Sequence, residues 1–476
     1  MGKRLTMEEA FKEYVEKLGT ALGHADRKSP LGEYMTGLLL PIERKSVEPM
    51  AAVLEPRRTG IAHQRMHHFV AKSGWSDEDL LRAVRRWAVP KLTDTDKIKA
   101  WIIDDTGFPK KGKHSVGVAR QYCGHLGKQD NCQVAVSLSI AGDNASLPVG
   151  YRLYLPKEWV EDPAKRSQAE VPDTIRFQTK PEIAIELVKK ALDEEIPRAI
   201  VLADAGYGND TEFREKLSGM NIRYAVGIQK NTTVWAPGTA PLQPLPYSGK
   251  GRPRKLLIRD KDHAPVSVLA LATGLQKKVW KKITWREAVA GEMTSRFARV
   301  RVHTAHRDIW RSTLRQEEWL VIEWPGSETE PIKYWLSTMA ADVKFTDMIR
   351  TIKMRWRIER DYYELKQEIG LGHFEGRGWT GFHHHASLCI AAYAFLCCTR
   401  LAFSPSGVAR ILFKAPAVPE GFRPRGSAAQ RTTRPMVSTD DTSPSHRRTV
   451  DALVPVPLLS SETQRIAANK WQFMTQ

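Results

Sequence analysis

The chain has 476 residues, 42% hydrophobic and 27% charged, a balance that excludes collagen-like and intrinsically disordered material. Lysine and arginine outnumber aspartate and glutamate 73 to 54, leaving a net charge of +19 at pH 7; a field of that size points to a polyanionic partner. At roughly 150 residues per domain the length allows about three domains.

The segment Met1 to Thr6 lacks the apolar core of a signal peptide. The longest apolar run, Leu388 to Cys398, is shorter than the roughly 20 residues a bilayer helix needs. The expectation is a soluble cytoplasmic protein without a membrane partner. Its five cysteines form no CxxC pair and are expected as reduced thiols.

In chain order, residues 1–96 predict a helical domain. Thr6 with Glu9 forms a capping box ahead of Phe11, Val15 and Leu18, and Ser76 with Asp79 opens a helix through Leu80, Leu81, Val84 and Trp87 that should stop near Pro90. From residue 97 the period changes to that of strands: Ala100 to Ile103, then alternation at Val134 to Ile140 and at Leu147 to Leu155. Thr179 with Glu182 caps a helix ending near Leu192, which feeds the strand Ala199 to Ala203. A further helix, from about Asp210 to Leu217, leads to the strand Ile222 to Ile228. The order β-β-β-α-β-α-β predicts an α/β fold, a mixed sheet flanked by helices.

Residues 229–340 break this rhythm with short segments such as Ser267 to Ala272, Arg299 to His303 and Trp319 to Trp324, read as strands of an inserted, mainly β subdomain. Two helices, Thr346 to Gly370 and Phe382 to Arg400, complete the part up to residue 400. The tail, 401–476, opens with six prolines and eight Lys+Arg against three acids between Leu401 and Val450, the composition of a flexible basic linker.

Carboxylates stand at the ends of two predicted central strands, Asp104 with Asp105 and Asp204, and Glu359 lies on a later helix. Such acids also cap turns, but converging carboxylates hold hard cations such as Mg²⁺, and two ions about 4 Å apart can drive phosphodiester cleavage. Neighbouring strand side chains point to opposite faces, so one of Asp104 and Asp105 enters the site; alternation alone leaves the choice open.

The stretch Arg355-Trp-Arg-Ile-Glu359, with Lys366 seven residues beyond the Glu, resembles the third-acid signature of insertion-sequence DDE transposases, the Tyr-Arg-Glu-Lys branch of the DDE superfamily endonucleases. The likeness extends to Ile103-Asp-Asp-Thr-Gly107, to Val201-Leu-Ala-Asp-Ala-Gly-Tyr207 and to Gly370-Leu-Gly-His-Phe-Glu-Gly-Arg377, and so over roughly residues 97 to 400. One departure stands out: the family's Tyr, three residues before the Arg, is Ile352 here. The resemblance implies an RNase H-like catalytic domain split into 97–228 and 341–400, with Asp105, Asp204 and Glu359 as catalytic and metal-binding triad. It selects Asp105 over Asp104.

It implies further a prokaryotic, nucleoid-associated DNA transposase using two Mg²⁺ ions, replaceable by Mn²⁺, on target DNA and on terminal inverted repeats read by the helical DNA-binding domain 1–96, as a homodimer. A domesticated DNA-binding protein and an RNase H-like nuclease without strand transfer are the rival readings. Expected DNA contacts are Arg355 and Lys366 flanking Glu359, Lys110 and Lys111 in the basic loop Lys110-Lys-Gly-Lys113, and the loop Lys250-Gly-Arg-Pro-Arg-Lys255. Similar transposases stack an aromatic of the β insertion on a flipped base, a role open here to Tyr334 or Trp335. His383-His-His385 is expected to pack rather than to bind metal, because successive helical residues project about 100° apart.

Overall fold

The computed structural model describes residues 6–124, 126–244, 255–288 and 291–402. Five helices come first: α1 (Met7–Gly19), α2 (Lys28–Leu39), α3 (Val47–Leu54), α4 (Thr59–Ala71) and α5 (Asp77–Thr95). The capping box at Thr6 and Glu9 is formed, and the Ser76 hydroxyl accepts from the Asp79 amide. Helix α5 does not stop at Pro90. It runs on to Thr95, burying Leu92 on the stripe of Leu81, Val84 and Ala88, so packing outweighs the missing amide.

Four strands follow: β1 (Ala100–Pro109), β2 (Ala119–Cys123), β3 (Lys128–Ala141) and β4 (Ser146–Leu153). Short helices α6 (Lys157–Val160) and α7 (Pro163–Gln168) lead to α8 (Lys180–Asp193), with its capping box at Thr179 and Glu182. Next come β5 (Ile200–Ala203), α9 (Ala205–Gly208), α10 (Thr211–Gly219) and β6 (Tyr224–Ile228). Strands β1, β5 and β6 lie side by side and parallel, while β3 runs antiparallel to β1 without a bulge from Ala100 to Pro109.

The region 229–340 contains β7 (Thr233–Trp235), β8 (Val266–Ser267), α11 (Val268–Gly274), β9 (Lys281–Ala288), β10 (Gly291–Thr304), β11 (Glu318–Trp324) and β12 (Lys333–Ser337). The expected strand at Ser267 to Ala272 is mostly helix: Ser267 caps it and Val268 and Ala272, four residues apart, are both buried. Strand β12 pairs antiparallel with β6, so the insertion's strands prolong the central sheet in the order β2-β3-β1-β5-β6-β12-β11-β10-β7-β8.

The last elements are α12 (Phe345–Lys353), α13 (Trp356–Gln367) and α14 (Trp379–Ala402). Where one helix was expected from 346 to 370, the chain turns at Met354 and Arg355, which separates α12 from α13. Helix α14 is long and apolar enough to cross a membrane, but here it is a core helix, buried on nearly every side. The Tyr14 hydroxyl donates to the Ala391 carbonyl at 2.9 Å, and Tyr14, Trp87 and Phe395 stack together, so the N-terminal helices wrap α14. All five cysteines are free and buried. The tail beyond Ala402 lies outside the described residues.

The sheet separates two apolar layers. On one side Trp101 and Ile103 meet α8, α14 and the N-terminal helices. On the other, Ala100 and Ile102 meet Ile349, Ile352 and Ile358 of α12 and α13, with Ile283, Phe297 and Val321 from the insertion closing the same layer.

Candidate active site

The β1–β3 register places the two adjacent aspartates on opposite faces. Asp104 stands opposite Ser137 of β3, and the Ser137 hydroxyl is 2.7 Å from the Tyr362 hydroxyl of α13. Residues directly opposite on paired strands share a face, so Asp104 faces the helix that carries Glu359. Asp105 stands opposite Val136, in the other layer, and its Oδ2 accepts from Lys180 Nζ at 2.8 Å in the first turn of α8. The Asp105 carboxylate thus leans toward α8, away from α13.

Arg355, at the N-cap of α13, gathers the acids. Its Nη1 donates to Asp104 Oδ2 at 2.8 Å, and its Nη2 lies 3.6 Å from Glu359 Oε1 one turn on. Burial alone would lower the guanidinium's pKa, but Asp104, Asp204 and Glu359 around it raise it. Burial pushes the Asp104 carboxyl up to about 7; Arg355 opposes the rise, and the nearby Asp204 and Asp105 add to it. Buried Tyr207 feels the charges of Asp105, Asp104 and Asp204 together; Asp104 and Asp105 lie midway along β1 rather than at its expected end, whereas Asp204 directly follows β5. Glu359 is the most open of the set, with 63% of its side chain exposed.

Asp204 follows β5 directly and caps α9, its Oδ1 accepting the Gly206 amide at 2.9 Å. This turn is pressed against β6: a Cβ on Gly208 would sit 1.9 Å from the Gly227 carbonyl oxygen, so only glycine fits.

The donors, carboxylate oxygens, suit a hard divalent ion in chemistry. As they stand, no three acidic, histidine or cysteine groups among the described residues are close enough to hold one, and the Arg355 guanidinium lies among the acids instead.

The other expected residues are distributed less simply. Lys366 turns inward, donating to the Gly107 carbonyl at 2.7 Å with its charge over the Phe108 ring, and burial lowers its pKa to about 8. Lys110 donates to the Phe374 carbonyl at 3.0 Å and is half-buried; Lys111 is exposed. Both Lys366 and Lys110 thus tie elements around β1 together. Tyr334 is buried, its hydroxyl donating to the Pro331 carbonyl, so it offers no face to a base. Trp335, on the α12 side of β12, is half-buried with Lys353 Nζ 5.4 Å from its ring centre. Lys250 to Arg254 lie outside the described residues, and Lys255 is exposed.

His383, His384 and His385 are buried on α14 and held by separate partners. His383 binds the Trp379 carbonyl, His384 the carbonyls of Val70 and Trp75, and His385 the Tyr34 hydroxyl and the Gly370 carbonyl. Sequence reasoning missed Lys180, whose place in the α8 cap carried no hint of Asp105. It also missed Tyr362, whose link to Ser137 follows from register alone.

A family model described as DDE superfamily endonuclease matches residues 17–292, more than half of the chain. The chain is also 32% identical over 197 residues to a protein of Microchaete diplosiphon named "Probable transposase for insertion sequence element IS701". That stretch covers 41% of this chain and 47% of the relative, about half its length. Endonucleases of this superfamily use divalent metals. The chain belongs to the DDE superfamily endonucleases.

Proposed function

We propose that the chain is a DNA transposase that cuts at the ends of a mobile element and joins the freed 3′-OH to target DNA, with Mg²⁺ as its natural ion and Mn²⁺ as a substitute. The observation that carries the reading is the meeting of carboxylates from β1, β5 and α13 around Arg355. The relative named as a probable transposase supports it, as does the net charge of +19.

Asp104, Asp204 and Glu359 would hold the metal. Asp104 replaces the expected Asp105 because it shares the face of α13. When bound, two ions supply an activated water and a charge that steadies the leaving oxygen. Arg355, already among the acids, is placed to hold a phosphate oxygen bidentately. Lys180 fixes Asp105 beside the site, and Lys366 braces the end of β1 from beneath. Bringing two element ends together calls for two copies of the chain, the expected homodimer.

The test is strand cleavage of duplexes carrying the element's ends, with Mg²⁺ or Mn²⁺. Glu359→Gln and Asp104→Asn should each lower the rate about a thousandfold or more, while DNA binding persists. Asp105→Asn should cost far less. Wild-type cleavage by Glu359→Gln would overturn the assignment. The opposite ranking of the two aspartates would return the first-strand role to Asp105, and cleavage without joining would leave a nuclease.

A further inference from the structure

The turn that carries Arg355 is held from the insertion. Between Lys353, the last residue of α12, and Trp356, the first of α13, stand only Met354 and Arg355. The backbone holds Arg355 loosely: its amide reaches the Ile352 carbonyl at 3.4 Å, near the outer limit of a hydrogen bond. Lys353 sits in a cage of rings. Its Nζ lies 4.4 Å from the ring centre of Trp285, 5.3 Å from that of Phe297 and 5.4 Å from that of Trp335, and it donates to Glu323 Oε2 at 2.7 Å. On the other side of the turn the Arg286 guanidinium lies 4.1 Å from the Trp356 ring centre. The start of α12 is gripped as well, since Arg299 donates to the Val343 carbonyl at 2.8 Å with the Trp319 and Phe345 ring centres 4.5 and 5.0 Å away.

A β-bulge makes the double grip on the turn possible. Trp285 and Arg286 are neighbours on β9, and neighbours on a regular strand face opposite sides of the sheet. The pairing of β9 with β10 shifts at this point: Thr284 stands opposite Thr294 and Arg286 opposite Met293, so Trp285 is the extra residue. Trp285 meets Phe297 edge to face at 5.6 Å, in the layer of α12 and α13. Met293 shares the face of Phe297, four residues on, and Arg286 opposite it is thereby turned to the side that Trp285 already faces. Two consecutive side chains thus reach the two ends of one turn.

We infer that Arg286 and Lys353 are positioning residues for Arg355: through them the insertion grips both sides of the α12–α13 turn and sets the guanidinium between Asp104 and Glu359. An arginine side chain has many rotamers, and a misplacement of about 1 Å costs on the order of a hundredfold in rate, so a fixed backbone beneath it matters. The inference rests on the transposase reading for what Arg355 does in cleavage, and it gives the insertion a task inside the protein.

The experiment uses the full chain and two variants, Arg286→Gln, and Lys353→Met combined with Glu323→Gln so that no buried acid is left unpaired. Each is also made in an Arg355→Ala background. On duplexes carrying the element's ends, with Mn²⁺, each variant should lower the cleavage rate about tenfold in the wild-type background and less than about twofold beside Arg355→Ala, because residues that act through one another do not add. Without DNA or metal, amide hydrogen exchange of residues 353–358 should quicken about tenfold in both variants, with the central strands unchanged. Arg286 is half-buried at the surface, so its variant keeps the fold even where the substituted ion pair does not.

A full tenfold loss on top of Arg355→Ala overturns the inference, as does wild-type cleavage by both variants or unchanged exchange at the turn. Wild-type cleavage by Arg355→Ala overturns it too, but leaves the carboxylate assignment, which stands or falls on Glu359→Gln. Should Glu359→Gln cut like the wild type, the transposase reading fails by itself, and the exchange at residues 353–358 alone decides whether the insertion holds the turn.

Discussion

At the scale of single residues, the central fact is that two adjacent aspartates live in different layers. Asp104 is drawn to Arg355 and Asp105 to Lys180, so each carboxylate has its own cation. A third acid, Asp361 on α13, is fully buried: its Oδ1 accepts from the Ser146 and Tyr393 hydroxyls, while its Oδ2 has no partner. Burial raises its pKa to about 7. Because the folded value exceeds the unfolded one, the group favours the folded state below about pH 4, and this contribution is lost as pH rises through 7. Asp361→Asn keeps an accepting oxygen and removes the charge. Its stability relative to wild type should therefore grow between pH 4 and pH 8 by roughly 2 kcal/mol, read from urea unfolding at both pH values. A pH-independent difference would show that the carboxyl is already charged at acid pH.

At the scale of elements, the sequence made the caps and the strand cores legible. The Thr6, Ser76 and Thr179 caps formed as their spacing predicts, β1 and β3 contain the predicted runs, and β4, β5 and β6 fall one or two residues short of theirs. What escaped was settled by contacts distant in sequence. The break at Met354 and Arg355 follows from how α12 and α13 separately meet the sheet. Which face each of Asp104 and Asp105 takes needed the β1–β3 register, since a one-residue slip exchanges the faces. The depth of Tyr334 needed its pairing with Ile228 of β6. The Asp204 turn was legible as an acid after a strand, but the reason for Gly208 was not. Adding one methyl there forces the turn off the Gly227 carbonyl. Gly208→Ala should cost more than about 2 kcal/mol in unfolding and blunt the rise in melting temperature expected of the wild type on adding Mn²⁺. An unaltered melting temperature would mean that the turn has room to shift.

At the scale of the whole molecule, composition suggested about three domains, and the structure joins what length arithmetic separates. The insertion prolongs the central sheet through β12, and the N-terminal helices share their core with α14, nearly three hundred residues later in the chain. Tyr14 reaches the Ala391 backbone, Trp75 lies flat on His384, and Lys45 donates to the Glu368 carbonyl. Helix α14 thus joins the N-terminal helices to the sheet layer opposite the one that Asp104 and α13 share. Residues 1–96 made alone would leave Tyr14, Leu38, Phe69 and Leu81 without α14 and expose a broad apolar surface to water. Such a fragment should show helix by circular dichroism yet lack a cooperative melt and should aggregate, whereas mixing it with residues 97–476 should restore a sharp transition. A fragment that melts cooperatively by itself would mean that the five helices form an autonomous domain.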